Sequence, residues 1–403
     1  VIVYFFINDI YVGLTSSELA IYKTLYIVVA SYSILSFPFL SLSGVLNAYE
    51  KFVELKLCEL GQRLVTIFLV ILALINGYGV IAIVSANAIS SLMFILIKLL
   101  LVNKLTKIKL KIKTMNKFML KEILSFSVWV TIMSISQRFI FNLAPSILGI
   151  VSTSSEIAVF SPANSLEGYF FTFAAAVNGM FLSKISRHIA KKEEDKIFFL
   201  MLKVGRYQLV ILGLVFIGFI CVGKDFILLW MGKSYAKSWE CTILLFIPDI
   251  LIFTEQIAST TMIAKNYVKE MSIGYVIMAL ICFSLSFPLS ANFGAIGACI
   301  SIAISYLFIY IYLNFLYSKK LNISISKFIK YCFSKYIILA LICIPICYIL
   351  CNKMININGW IGLLIKGVVI IVIYFCLVRI IYLDKEEKNC LKIFWNKLCS
   401  KFN

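Results

Sequence analysis

Apolar positions in this chain come in runs rather than in stripes. Stretches of about 20 residues rich in Ile, Leu, Val and Phe follow one another from end to end, broken by short polar segments. None alternates with the period of two that a half-buried strand would show. The runs predict helices at roughly 24–48, 62–77, 79–101, 122–150, 157–183, 203–230, 239–263, 268–291, 293–317, 335–351 and 360–382, with residues 1–7 as the tail of one more. Most can cross about 30 Å of hydrocarbon. In lipid the backbone polar groups must be satisfied within a helix or a closed barrel, and the missing alternation excludes the barrel. The expected fold class is an all-α polytopic membrane protein.

Composition supports this: 62% of the 403 residues are hydrophobic, 14% are charged, and mean hydropathy is +0.99. A soluble domain carries about a quarter of its residues charged. The net charge of +19 would suggest nucleic acid for a soluble protein, so its distribution decides its meaning. Taking alternate connections between spans, one face holds Lys51, Lys56 and Arg63, the lysines from Lys98 to Lys121, and the group from Lys184 to Arg206. Lys265, Lys269, the cluster Lys319 to Lys335 and the tail from Arg379 to Lys401 follow on that face. The other face has only Lys23, Lys224, Lys233, Lys237, Lys353 and Lys366, and Arg138 lies within a span. The positive-inside rule makes the basic face and the C-terminus cytoplasmic, and no nucleic acid is needed as a partner. The tract "KLTKIKLKIKTMNK" at 104–117 could touch anionic membrane lipids, but orientation alone accounts for it.

Loops on the opposite face are short: "NGY" at 76–78, "STSSE" at 152–156, "ANF" at 291–293 and "NKMININ" at 352–358. The work is therefore expected within the bilayer. Twelve cysteines lie mostly in apolar spans, with Cys343, Cys347 and Cys351 on one helical face, and read as small packing residues. One histidine, His188, leaves His-based metal chemistry without ligands, and no cofactor is implied.

A shift of 215 residues sets "YGVIAIVSANAIS" at 78–90 over "FGAIGACISIAIS" at 293–305, matching Gly79 with Gly294 and Ser90 with Ser305. Both copies carry a rib of small residues every fourth position: Ala82, Ala86 and Ser90, and Gly297, Ser301 and Ser305. Small residues let membrane helices approach backbone to backbone, so each rib is expected to be a packing seam. The repeat predicts two parallel six-helix bundles plus a C-terminal helix pair. The organisation expected is an incomplete first bundle at 1–103, a basic cytoplasmic linker at 104–121, a second bundle at 122–318, the extra pair at 335–383 and a tail at 384–403. Projecting the second bundle's start near Lys121 back by the same shift predicts about 90 preceding residues, holding two spans and most of a third.

A charge at the bilayer centre costs about 2.5–3.5 kcal/mol on insertion scales, so one that persists is a candidate site. Arg138 is the first candidate, on a polar stripe with Ser127, Thr131, Ser134 and Asn142 at helical spacing. Glu167 shares a span with Ser161, Asn164 and Asn178; ion coupling and a salt bridge to Arg138 are both open for it. Asp249 and Glu255 stand six residues apart, about 240° around a helix, and so cannot share a face. Lys366, about one turn inside its span, is expected to snorkel to the interface.

The helix arrangement, together with "LGIVSTSSEIAVFSPANSL" at 148–166, "ILLWMGKSY" at 227–235 and "FGAIGACISIAIS" at 293–305, resembles the multidrug/oligosaccharidyl-lipid/polysaccharide exporter superfamily. Within it, the chain is most similar to the polysaccharide-transporter branch that contains O-antigen flippases. Relatives there often carry an acidic residue near Asn142 and a tyrosine near Phe160, and this chain has neither. The resemblance implies a multi-pass protein of the bacterial inner membrane. Its implied substrate is an undecaprenyl-pyrophosphate-linked oligosaccharide, an O-antigen or capsule repeat unit, moved across the membrane by alternating access. It implies coupling to H+ or Na+, and other polysaccharide-assembly membrane proteins as partners. Arg138 would then attract the pyrophosphate, with Asn142, Asn164, Glu167, Asp249 and Glu255 as further binding or coupling residues. A cation-coupled multidrug antiporter is the alternative within the superfamily. A membrane polysaccharide polymerase is disfavoured by the short outer loops.

Overall fold

The computed structural model describes residues 16–106, 117–178, 181–351, 359–384 and 387–388, with only the backbone for 16–20 and 176–178. The possible span tail at 1–7, most of the basic linker, the loop at 352–358 and most of the C-terminal tail lie outside the described residues. Every regular element among the described residues is helical. Eight helices are long and apolar enough to cross a membrane, and a bent helix pair makes up to nine. The chain divides into two compact units, 1–115 and 116–403.

In the first unit, α1 (Ser16–Ser36) runs through a tight turn at Phe37–Leu40 into α2 (Ser41–Ala48). The turn sits at Pro38, whose missing N–H interrupts the helical ladder. Next come α3 (Phe52–Ile75) and α4 (Val80–Thr106). These two pack at the small-residue rib: Ser90 Oγ meets Thr66 Oγ1 at 2.7 Å, and Gln62 Nε2 donates to Ser91 Oγ at 3.0 Å. Ala86 and Ser90 are buried and Ala82 is half-buried.

The second unit begins with α5 (Lys117–Val151), α6 (Ser154–Asn178), the short α7 (Leu182–Ala190) and α8 (Glu194–Trp230). Then α9 (Ser238–Thr254) turns by 54° into α10 (Gln256–Ala264). The longest element, α11 (Val268–Leu321), breaks at Gly294, whose φ of 57° a residue with a Cβ rarely adopts. Its two arms, 268–293 and 295–321, fold back on each other so closely that a Cβ on Gly297 would overlap the Leu289 carbonyl. Gly297, Ser301 and Ser305 are all buried. Moved by 215 residues, the bounds of α3 and α4 fall on 267–290 and 295–321, beside the two arms of α11. The pair α12 (Ile325–Ile349) and α13 (Gly359–Leu377), with a wider helical turn at Val378–Tyr382, packs against α8.

Several helices begin well before the apolar runs that mark them. The run at 62–77 is the inner part of a helix that starts at Phe52, and the run at 203–230 belongs to one that starts at Glu194. Hydropathy registers only the apolar stretch, whereas the backbone ladder continues into water when charges three or four apart pair, as Lys56 and Glu59 do at 2.9 Å.

Candidate functional site

Burial sorts the polar residues of the second unit. Glu167, Asp249 and Glu255 are buried, whereas Arg138 and Asn142 are exposed and Asn164 is half-buried. Asp249 follows Pro248 on α9, and Glu255 stands at the break between α9 and α10; the two have different neighbours, as expected from their spacing, although the helix assumed for that spacing ends at Thr254. Asp249 meets α6, where its carboxyl lies within hydrogen-bonding reach of Glu167. Glu255 instead meets the second arm of α11, beside Tyr310 and Asn314. Asp249 Oδ2 and Glu255 Oε1 are buried without a hydrogen-bond partner among the described residues.

Arg138 lies near Glu167 but forms no ion pair among the described residues. Asn142 turns its amide back onto its own helix, donating to the Arg138 carbonyl at 3.0 Å. Arg138, Glu167 and Asp249 each sit 11 to 13 residues from the ends of α5, α6 and α9 that carry the short loops, at about 16–20 Å of helical rise. One exposed cation and two touching buried carboxyls thus share a level near mid-membrane. Two carboxyls in contact cannot both ionise without strong repulsion, so the pair is suited to hold a cation or a shared proton. Among the described residues no group of three or more His, Cys, Asp or Glu is arranged to hold a metal ion.

Two charges are placed differently from their sequence-based expectation. Arg206, read as one of the cationic groups on the basic face, is 1% exposed. It is held by Asp384 at 3.1 Å and Glu387 at 2.8 Å, donates to the Tyr382 carbonyl at 2.6 Å, and lies between the Tyr331 and Tyr382 rings. The signal available was the acidic cluster at 384–387 within an otherwise basic tail. Lys366 does not merely reach for the interface: it is buried and pairs with Asp225 at 2.9 Å.

Sequence reading also missed the aromatic hydroxyls around the carboxyls. Tyr306 stands beside Asp249 and Glu167, and Tyr310 beside Glu255. Their signal was the recurrence of Tyr306, Tyr310 and Asn314 every fourth residue on α11. At the loop-poor end, Glu156 at the start of α6 accepts the Ala295 N–H at 2.8 Å, which caps the second arm of α11. A side chain on Gly294 would collide with that carboxylate.

Residues 18–240 match the model of the family described as "Polysaccharide biosynthesis protein". The fold is similar to a solved structure titled "Lipid II flippase MurJ, inward closed conformation", with a TM-score of 0.66 and 18% sequence identity. That alignment covers 94% of this chain and 78% of the other. No curated protein matches the chain.

Proposed function

The chain belongs to the polysaccharide biosynthesis protein family, and from that premise we propose that it is a flippase for a lipid-linked oligosaccharide. The substrate in this reading is an undecaprenyl-pyrophosphate sugar repeat of the O-antigen or capsule type, carried across the bacterial inner membrane by alternating access. The observation that carries the proposal is Arg138, an exposed guanidinium at mid-membrane level beside a buried carboxyl pair. An isolated charge there is costly, and a planar guanidinium matches a pyrophosphate through paired hydrogen bonds. The Glu167–Asp249 pair supplies the coupling site for H+ or Na+ in this scheme, because a change in its charge is felt directly by Arg138. The basic face and the C-terminus are cytoplasmic, following the distribution of Lys and Arg.

The test is deletion of the gene in its native host, followed by rescue with the complete gene or its Arg138→Ala and Arg138→Lys variants. Loss of surface polysaccharide, restored by the parent, reduced at least tenfold with Ala and partly recovered with Lys, is the expected result. Unchanged surface polysaccharide after deletion would overturn the flippase reading.

The buried acids keep a second reading open, a cation-coupled multidrug antiporter. It predicts drug hypersensitivity, with normal polysaccharide, in the same deletion strain.

A further inference from the structure

One cation of the first unit stands on a face that is otherwise buried. α4 turns the same side inward at every fourth residue: Ala86, Ser90, Phe94, Val102 and Thr106 are buried, and Lys98 occupies the remaining place in that row. Lys98 is half-buried, with Phe94 one turn before it and Val102 one turn after. Its Nζ donates to Ser43 Oγ on α2 at 3.2 Å. Beside that contact, Leu42, Leu46, Leu55 and Val102 join α2, α3 and α4 in one apolar cluster. Its place in the sequence groups Lys98 with the surface charges of the basic face, but the side chain is turned onto a neighbouring helix.

Packing alone does not call for a cation at this place. Moved by 215 residues, Ala86, Ser90, Phe94, Val102 and Thr106 fall on Ser301, Ser305, Ile309, Tyr317 and Leu321, every one of them buried. The bounds of α2 fall on 256–263, beside α10, and Lys98 and Ser43 fall on Leu313 and Ala258. Those two are 2% and 0% exposed and belong to the apolar core of the second unit. Where the second unit has Leu and Ala, the first has an ammonium against a hydroxyl. An ammonium carries three N–H donors, and a hydroxyl is a neutral acceptor, so Ser43 leaves the charge itself unanswered. Lys98 has no ion-pair partner among the described residues, although Glu59 on α3 pairs with Lys56 at 2.9 Å. Snorkelling would carry the ammonium out to the interface. This one instead stops at Ser43, five residues before the end of α2, about 8 Å of helical rise.

We propose that Lys98 and Ser43 form a phosphate site in the basic-side half of the first unit, which takes the headgroup of a lipid from the adjacent leaflet. A phosphate oxygen accepts from the ammonium as a point charge, and the Ser43 hydroxyl, a donor as well as an acceptor, adds a second bond. The anion comes from the bilayer because of where the pair lies. α4 rises about 40 Å against about 30 Å of hydrocarbon. Lys98, eight residues from the basic end of α4, therefore stands within reach of that leaflet's phosphates. Two lipids offer the same chemistry: an anionic phospholipid, and the polyprenyl phosphate carrier of the substrate proposed above. The site rests on the placement of Lys98 and Ser43 and stands whether or not the chain is a flippase.

Native mass spectrometry of the full chain in detergent, titrated with phosphatidylglycerol, undecaprenyl phosphate or diacylglycerol, tests the site. Lys98→Leu and Ser43→Ala install the residues found at the shifted positions of the second unit, so both should fold, and thermal unfolding without added lipid checks that they do. Lys98→Leu should weaken the first-bound phosphate lipid at least tenfold, and Ser43→Ala should weaken it less. Lys98→Arg, which keeps the charge, should retain most of the affinity. Lys104→Leu, at an exposed position further along α4, should leave it unchanged. Diacylglycerol, which has no phosphate, should bind parent and variants alike and more weakly. A tenfold preference of the parent for undecaprenyl phosphate over phosphatidylglycerol would support the site and assign it to the carrier lipid; the reverse preference would support it and assign it to the bilayer. Parental affinity in Lys98→Leu would overturn the site, as would diacylglycerol bound as tightly as the phosphate lipids. If Lys98→Leu does not fold, Lys98→Gln serves in its place.

Discussion

Gly297 stands where backbone closes in on the site of a side chain. Any Cβ there overlaps the Leu289 carbonyl, a backbone atom that cannot rotate aside, so even Gly297→Ala forces the two arms of α11 apart. Overpacking of this kind costs about 1–3 kcal/mol, and Leu at the same position exceeds it. Ile304, seven residues on, is 42% exposed and should accept Leu with a change of about 0.5 kcal/mol or less. Thermal unfolding in detergent compares the two directly, and equal tolerance would remove the close approach as the reason for the glycine. The rib of small residues was legible because lipid leaves helices few other ways to associate. The consequence of Gly294 was less so: it ends one span and starts the next, and the N–H that follows it is held by the Glu156 carboxylate of a helix far away in sequence.

At the scale of elements, the α12–α13 pair shows how a helix hairpin is fastened to a bundle. Tyr374 donates to the Val210 carbonyl at 2.8 Å, Tyr382 donates to the Cys332 carbonyl at 3.1 Å, and Arg206 gathers the acidic residues that follow α13. Removing Arg206 as Arg206→Ala leaves Asp384 and Glu387 without their shared cation and should cost about 3–5 kcal/mol. Faster hydrogen exchange along α13 is the expected readout. Acid should weaken the same fastening. Burial pushes the Asp384 carboxyl up, but Lys335, Arg206 and the Tyr331 hydroxyl outweigh it and hold it below the usual carboxylate value. A carboxyl whose folded value is depressed contributes stability that is complete above its unfolded value near 4 and is lost as pH falls through the folded one. Exchange along α13 should therefore accelerate below about pH 4 in the parent and show little of that acceleration in Asp384→Asn. Existence and order of the helices could be read from apolar runs, since in lipid a run has one way to satisfy its backbone. The burial of Arg206 could not, because its partners come from the far end of the chain and local hydropathy carries no record of them.

Over the whole molecule, the helical membrane character was legible in composition, whereas the meeting of Glu167 with Asp249 was not. The six-residue spacing, read as one helix, predicted that Asp249 and Glu255 diverge, but the helix breaks at Glu255 and which neighbouring helix each acid finds depends on packing. If the pair couples transport to an ion, Glu167→Gln and Asp249→Asn keep the shape and remove the titration. Each should reduce ion-driven translocation in proteoliposomes at least tenfold while leaving downhill exchange of substrate measurable. Retention of full ion dependence by both variants would assign the pair to structure.

The clasp at the loop-poor end of α6 has a mechanical consequence for that pair. Glu156 ties α6 to α11 through the Ala295 N–H, and Ser238 ties α9 to α6 through the Val159 carbonyl at 2.6 Å. With their helices pinned together a few turns away, the Glu167 and Asp249 carboxyls have little room to separate. If the pair is the coupling site proposed above, its state is written in charge rather than in distance, as on the plates of a capacitor with a fixed gap.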